Sequence, residues 1–222
     1  PSLGFNYFQI RSLADGSLLV CSNQGLLRIN KDQPIQIFTL KSIRETLFPR
    51  LKGFQWILLP EEVGQQGQFV EVSDALQDPS GAIWVALTRS DEEGAILKFT
   101  LDQVKNGALK EYQLWVSGGE SPTFGETQRL LRSSRGDIWV INTSYKKGIN
   151  VYDGKKWSYI PLSPHFGGDE YMNAIAETHN GTIWIGGLGR LYSFQSGKWS
   201  MYKAPEYRIP ANKLILRPSQ GD

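Results

Sequence analysis

The sequence predicts an all-β protein of the β-propeller class, with four four-stranded antiparallel blades and the first strand of a fifth. One observation is a motif, Gly-x-Ile-Trp, that occurs at 81–84, 136–139 and 181–184. A second is that the chain around each copy reads as four short strands joined by tight turns. Four strands in a repeat of roughly 40 residues are typical of a propeller blade.

The repeat extends beyond these three copies. A weaker copy surrounds Gly16, and a last copy stops just after Gly221. Successive anchoring glycines, at positions 16, 81, 136, 181 and 221, are separated by 65, 55, 45 and 40 residues. The shortening interval indicates that the earlier units carry insertions.

Strand and turn signals within a unit are clearest in the third and fourth copies. The apolar run from Asp137 to Ile141 is typical of a strand buried on both faces. Asp153-Gly154 stands between two strand-like runs, which predicts a hairpin turn, and Ser196-Gly197 takes the same place in the next unit.

These signals indicate that the whole chain is one propeller segment with six parts. The predicted parts are blade 1 at 5–40, an insert at 41–67, blade 2 at 68–116, blade 3 at 126–160, blade 4 at 172–203 and the start of blade 5 at 211–222. Helical spacing of apolar residues between Ile43 and Leu51 predicts a short helix in the insert. Because blade 1 has its own innermost strand at 7–12, we expect the strand at 213–217 to begin a further blade of an open, larger propeller.

Composition excludes several classes of function. The 24 Lys and Arg residues nearly balance the 22 Asp and Glu residues along the chain, so no basic face for nucleic acid or an anionic bilayer is expected. The single cysteine, Cys21, excludes an internal disulfide and a cysteine-rich metal site. No signal-peptide pattern is present, and removal of a targeting segment would account for that.

The motif residues resemble the repeats of the two-component regulator propeller family. The matching residues are Gly81, Ile83, Trp84, Gly136, Ile138, Trp139, Gly181, Ile183, Trp184, Ile185 and Gly186, with the outer-strand residues Trp157, Tyr159, Trp199 and Tyr202. Unit one departs from the pattern, with Leu19 in the tryptophan position. The resemblance implies a periplasmic or extracytoplasmic sensor propeller that precedes a membrane helix and a histidine kinase or similar output module.

The recurring glycines and tryptophans are predicted to be structural. Trp84, Trp139 and Trp184 share one repeat position, which favours packing between blades over ligand stacking. Trp157 and Trp199 share a position on the outer strand. Together with the turn glycines Gly81, Gly136 and Gly181, they form the predicted structural set.

A binding site is predicted on the loops at one end of the blades, the top end, where the second-to-third strand loops and the connections between blades emerge. These are the long loops, and loops on a rigid scaffold commonly bind ligands. Aromatic and charged side chains there could stack on a sugar and hydrogen-bond its hydroxyls; solvated loop residues are the alternative. The predicted binding residues are Arg89, Tyr145, Lys146, His165, Tyr171, Tyr207 and Arg208.

Few residue patterns in the sequence indicate catalysis. The two histidines lack metal-ligand spacing, and the acidic triplet Asp91-Glu92-Glu93 lacks the alternate spacing of a calcium loop. We therefore expect no cofactor or metal and a non-catalytic domain that senses a small molecule or glycan, with further blades and a membrane-linked output domain as partners and dimerisation open. A propeller enzyme of lyase or lactonase type, with or without a metal ion, is the alternative, and a protein-interaction platform is a third hypothesis.

Overall fold

The computed structural model describes most of the blade strands and the turns between them. The described residues are 7–22, 25–30, 33–39, 55–58, 69–89, 94–105, 108–109, 111–116, 127–142, 148–160, 172–187 and 190–203. The chain divides into two compact units, Pro1–Val116 and Ser117–Asp222. The predicted insert helix and the predicted strand at 213–217 lie outside the described residues.

The first unit begins with a sheet that is wider than the predicted blade. Its first four strands run antiparallel in chain order: β1 (Tyr7–Ser12), β2 (Leu18–Ser22), β3 (Gly25–Asn30) and β4 (Gln33–Thr39). Three more strands widen the sheet to seven: β5 (Gln55–Leu58), which pairs parallel to β4, then β10 (Ala108–Leu109), and at the edge β9 (Val104–Lys105). Part of the predicted insert is thus a strand of the first sheet.

The second sheet of this unit has the four antiparallel strands that the repeat predicts. They are β6 (Phe69–Gln77), β7 (Ile83–Arg89), β8 (Gly94–Phe99) and β11 (Gln113–Val116). Between β8 and β11 the chain forms a 3-10 turn at Leu101–Gln103 and the β9–β10 hairpin. The stretch between β8 and β11 therefore also supplies the edge of the first sheet.

The second unit contains two four-stranded antiparallel sheets. The first consists of β12 (Thr127–Arg132), β13 (Ile138–Asn142), β14 (Ile149–Tyr152) and β15 (Trp157–Ile160). The next consists of β16 (Met172–Glu177), β17 (Ile183–Gly187), β18 (Arg190–Gln195) and β19 (Lys198–Lys203). Each sheet follows chain order, which is the up-and-down order of a propeller blade.

All four blades share a register shift between their first two strands. It falls between residues 7 and 9, 72 and 74, 127 and 129, and 172 and 174. In each blade the shift begins five residues before the first strand ends. A bulge increases the local twist of a strand, so each innermost strand bends at the same point.

Alternating residues of the second strand pack toward opposite neighbours. In the first unit, Leu19 and Cys21 of β2 share one buried cluster with Ile83 and Val85 of β7. In the second unit, Trp139 of β13 shares a cluster with Ile183 and Ile185 of β17. The tryptophan position, which Leu19 occupies in blade 1, thus faces the following blade, and the isoleucine position faces the preceding one.

The predicted structural tryptophans occupy buried or half-buried positions. Trp84 is 2% exposed and stacks on Trp115, with ring centroids 5.6 Å apart and planes at 4°. Trp139 is 5% exposed and contacts Phe194 of the next blade. Trp184 is partly buried and contacts Tyr202, which is itself exposed.

The two outer-strand tryptophans pack against aromatic residues of the neighbouring third strand. The ring of Trp157 lies 5.1 Å from that of Tyr152, and the ring of Trp199 lies 4.8 Å from that of Phe194. Both pairs are direct cross-strand neighbours in the register. Such cross-strand aromatic pairs stabilise the outer edges of the third and fourth blades.

Candidate functional site

Most of the predicted binding residues lie outside the described residues. Arg89 is the last residue of β7 and pairs with Phe69 across the sheet. Tyr145, Lys146, His165, Tyr171, Tyr207 and Arg208 lie outside the described part of the chain, as do Asp91, Glu92 and Glu93. Their binding role remains a prediction. His179 lies exposed in the turn between β16 and β17.

The other end of each blade, the bottom end, is formed by the turns between strands one and two and between strands three and four. In all four blades the first of these turns has the same backbone: the glycine N–H donates to the carbonyl three residues earlier. The glycine φ lies between 78° and 94° at Gly16, Gly81, Gly136 and Gly181. Glycine enters this region without the penalty that a Cβ imposes, which explains why the motif requires it.

Asp78 links the turn of the second blade to the motif tryptophan. Its Oδ1 accepts hydrogen bonds from the Ser80 N–H at 2.9 Å and the Ala82 N–H at 3.2 Å, and its Oδ2 accepts from Trp84 Nε1 at 2.9 Å. Burial raises the pKa of the Asp78 carboxyl, but the hydrogen bonds from Ser80, Trp84 and Ala82 outweigh burial and leave the pKa below its usual value.

The lowered pKa of Asp78 predicts a loss of stability in acid. A group whose pKa is lower in the folded state stabilises the fold above its unfolded pKa, which is about 3.9 for aspartate, and this contribution disappears as the pH falls through the lower folded value. We therefore expect the free energy of unfolding, measured with urea between pH 6 and pH 2, to decline less steeply below pH 4 in Asp78→Asn than in the unaltered chain. Parallel curves would contradict this role.

The aligned turn of the third blade lacks this carboxylate. Ser133 takes the place of Asp78, and its Oγ accepts the Asp137 N–H at 3.1 Å. The indole Nε1 of Trp139 is buried and has no hydrogen-bond acceptor among the residues that the structure describes. A buried donor without a partner costs free energy, so this position is chemically unlike its counterpart in blade 2.

A side chain at the end of one blade's first strand binds the turn of the preceding blade. In the first unit, Gln77 Oε1 accepts the Ala14 N–H at 2.9 Å. In the second unit, Glu177 Oε2 accepts a hydrogen bond from the Ser134 N–H at 2.6 Å, and Glu177 Oε1 accepts one from the Ser134 hydroxyl at 2.7 Å. Gln77 and Glu177 occupy the same repeat position, so the same kind of hydrogen bond joins neighbouring blades in both units.

Removing this link is expected to destabilise the second unit modestly. Glu177→Ala leaves the Ser134 N–H without its acceptor, and we expect a loss of about 1 kcal/mol, the usual net value of a hydrogen bond that water can partly replace. Glu177→Gln keeps an acceptor and serves as the control, with a smaller loss. Urea unfolding followed by tryptophan fluorescence measures both, and equal stability of Glu177→Ala and the unaltered chain would exclude the link.

An ion pair joins the innermost strands of the first two blades. Arg11 Nε donates to Asp74 Oδ1 at 2.9 Å, and one terminal nitrogen of the guanidinium donates to Oδ2 at 2.7 Å. The Asp74 side chain is fully buried, whereas 31% of the Arg11 side chain is exposed. Burial lowers the pKa of Arg11, but hydrogen bonding to Asp74 and its charge outweigh burial and raise that pKa above its usual value.

Two of the clefts that the described residues line lie at the bottom end. The larger, about 260 Å³, lies in the first unit where the chain leaves β8. Its lining mixes one cation, one carboxylate, amides and aromatic rings: Ala82, Lys98, Phe99, Thr100, Gln103, Glu111, Tyr112 and Gln113. The Lys98 ammonium also lies 4.7 Å from the centre of the Trp84 ring, which is within the range of a cation–π contact.

The smaller cleft, about 50 Å³, lies between the third and fourth blades, within the second unit. Ser133, Arg135, Asp137 and Trp139 line it from blade 3. Blade 4 contributes Glu177, Gly181, Ile183, Phe194, Gln195 and Ser196. Trp139, whose buried indole Nε1 has no acceptor among the described residues, thus lines the cleft together with charged and amide groups.

Sequence reasoning missed the bottom-end residues because it chose loops by length. Arg11, Asp74, Asp78 and Glu177 belong to strands and tight turns, which carry no loop-length signal. The alignment of repeats did hold one signal: Asp78 and Ser133 take the same position but have different side chains. Among the described residues, no group of three or more His, Cys, Asp or Glu side chains is placed to hold a metal ion, and no helix is long and apolar enough to cross a membrane.

Comparison with known proteins extends the fold assignment. No protein-family model and no curated protein sequence matches the chain. Among solved structures, it is similar to the gluconolactonase XC5397 of Xanthomonas campestris, at TM-score 0.56 and 12% identity over 90% of this chain. It is similar to the calcium-binding protein regucalcin of Agrobacterium tumefaciens, at 0.55 and 16% over 92%. It is also similar to the extracellular domain of BT4673 of Bacteroides thetaiotaomicron, named for a one-component system, at 0.51 and 11% over 93%.

The chain spans 62% of the length of the gluconolactonase and of regucalcin, and 32% of the BT4673 domain. At these identities the likeness concerns the fold alone. Together with the four antiparallel blade sheets, it shows that this chain has the β-propeller fold.

Proposed function

We propose that this chain is a non-catalytic ligand-binding part of a regulatory protein, and that it recognises a small molecule or glycan through the loops at the top end of its blades. The observation that carries the proposal is the state of three described carboxylates. Asp74, Asp78 and Glu177 each accept two or more hydrogen bonds that hold strands or turns together. Catalysis through a metal or a proton transfer needs carboxylates that can reach a metal or substrate instead.

The regulatory part of the proposal has separate support. The motif residues resemble a family of sensor propellers, and the BT4673 domain, which shares this fold, is named as extracellular and as belonging to a one-component system. We propose the same kind of setting for this chain: an extracytoplasmic location, further blades and a membrane-linked output domain. Ligand occupancy at the top loops would then reach the output domain through the rigid blades.

A thermal-shift screen tests the proposal. A ligand that binds only the native state at 100 times its Kd adds about 2.7 kcal/mol, which corresponds to roughly 5–10 °C for a chain of this size. We expect at least one compound of a panel of neutral and acidic oligosaccharides to raise the Tm by this amount. The double substitution Tyr145→Ala/Lys146→Ala should abolish the shift. Lys155→Ala, in the bottom-end hairpin turn of the same blade, is the matched control and should retain it.

Metal analysis of the same protein separates binding from catalysis. The gluconolactonase and regucalcin share this fold, so elemental analysis and a lactone-hydrolysis assay accompany the screen. A stoichiometric divalent metal together with turnover of a lactone would overturn the proposal in favour of an enzyme. Absence of any stabilising compound would also count against it.

A further inference from the structure

We propose that the smaller cleft, between blades 3 and 4, binds a neutral hydroxylated ligand through the indole N–H of Trp139. This site lies at the opposite end of the blades from the predicted sensing loops and is independent of them. The proposal begins from one buried donor. Trp139 is 5% exposed, and its buried Nε1 has no acceptor among the described residues.

The second blade shows what such an indole normally binds. Trp84 holds the same repeat position, and its Nε1 donates to the carboxylate of Asp78, six residues earlier. The residue six before Trp139 is Ser133, which also lines the cleft. Serine is shorter than aspartate and its Oγ already accepts the Asp137 N–H, so an oxygen atom from outside the chain can take the place that the Asp78 carboxylate has in blade 2.

The charges around the cleft favour a ligand hydroxyl over a ligand carboxylate. Asp137 Oδ2 lies 3.5 Å from Ser133 Oγ, next to the place that an incoming group would occupy. Two carboxylates, Asp137 and Glu177, and one guanidinium, Arg135, line the cleft, so its net charge is negative and repels a ligand carboxylate. A hydroxyl satisfies both neighbours, because its oxygen accepts from the indole N–H while its hydrogen donates to the Asp137 carboxylate.

The remaining lining suits a compact polar molecule with an apolar side. Arg135 and Gln195 supply further hydrogen-bonding groups, while Ile183 and Phe194 form an apolar wall. A cleft of about 50 Å³ admits one alcohol group, and the rest of the ligand would extend into solvent. A sugar or polyol has this combination of neighbouring hydroxyls and C–H faces, whereas a fully charged ligand does not.

Indole N–H resonances test the proposal directly. In a ¹H–¹⁵N correlation spectrum, Trp139→Phe identifies the Trp139 indole signal by its disappearance, and Trp84→Phe identifies that of Trp84. We expect D-glucose and glycerol to shift the Trp139 signal saturably and to leave the Trp84 signal in place, because Asp78 already binds it. Acetate at the same concentrations should produce no saturable shift at Trp139.

A variant that carries the turn residues of blade 2 in blade 3 tests the proposal most sharply. Ser133→Asp/Asp137→Ala gives blade 3 the side chains of Asp78 and Ala82 in blade 2, so the introduced carboxylate should bind the Trp139 indole and exclude the ligand hydroxyl. We expect the glucose-dependent shift to disappear and the Kd of any residual binding to rise at least tenfold. If this variant fails to fold, Asp137→Asn and Gln195→Ala replace it, each with an expected weakening of several-fold.

Three results would overturn the proposal. The first is a Trp139 signal that no hydroxylated probe shifts saturably. The second is a saturable shift with acetate but none with glucose. The third is a glucose-dependent shift that survives in a folded Ser133→Asp/Asp137→Ala variant.

Discussion

Asp74→Ala is expected to lower the free energy of unfolding by about 3–5 kcal/mol, the range for breaking a buried ion pair from one side. The substitution removes both acceptors of the Arg11 guanidinium and leaves that partly buried cation without its paired carboxylate. Asp74 Oδ1 also accepts the Ala75 N–H at 2.9 Å, so a buried backbone donor loses a contact as well. Urea unfolding at neutral pH measures the loss.

A double-mutant cycle separates the pair from the cost of an unpaired charge. Arg11→Met leaves a fully buried carboxylate unpaired and should also destabilise strongly. Arg11→Met/Asp74→Leu removes both charges and should recover much of the stability, because replacement of a buried pair by apolar residues is often close to neutral. If the double variant loses as much free energy of unfolding as the two single variants lose together, the two side chains do not act as a pair.

The repeat made the blades predictable from local signals. Gly-x-Ile-Trp sets a turn and a buried strand within a few residues, and Asp153-Gly154 sets a hairpin, so neither needs information from distant parts of the chain. Gly154 indeed has φ of 93°, and Ser196 and Gly197 both have positive φ, as such hairpin turns require. The strands that the structure describes therefore follow the predicted order in every blade.

The features that the sequence did not predict depend on distant partners. The strand at 55–58 reads as an apolar run, but nothing in that run tells which sheet edge it will join; it pairs parallel to β4. Gln77 and Glu177 bind turns that lie 63 and 43 residues away. The bulge that recurs in each innermost strand has no residue type of its own, since Gln9, Asp74, Arg129 and Ala174 occupy the position after the shift.

The same contrast applies to the candidate sites. Loop length favours the top end, where the predicted binding residues lie. The bottom end is a row of tight turns, and its chemistry depends on single substitutions at aligned positions. Asp78 gives its turn a carboxylate that binds Trp84, whereas Ser133 leaves the indole of Trp139 without an acceptor of this kind. The sequence does contain this difference, because it is visible when equivalent positions of the blades are aligned with one another.

Gly148→Ala is the second substitution with a large expected effect. A Cβ placed on Gly148 would lie 2.0 Å from the carbonyl oxygen of Ile160 and 2.9 Å from its carbon. Both atoms belong to the backbone of β15, so no side-chain rotation relieves the contact. The strand pair β14–β15 must separate, and overpacking of this kind is expected to cost about 3 kcal/mol. Thermal and urea unfolding of the variant measure the loss.

Gly154→Ala in the same blade is the matched control, because its Cβ meets nothing within 4 Å while its φ of 93° disfavours a side chain. Backbone strain alone is expected to cost about 1–2 kcal/mol there. The Gly148 variant should also disturb two hydrogen bonds, from Asn142 Nδ2 to the Gly148 carbonyl at 2.5 Å and from the Gly148 N–H to the Tyr159 hydroxyl at 3.0 Å. A close backbone contact predicts that Gly148→Ala loses more stability than Gly154→Ala. The opposite result would mean that β15 does not pack this closely against residue 148.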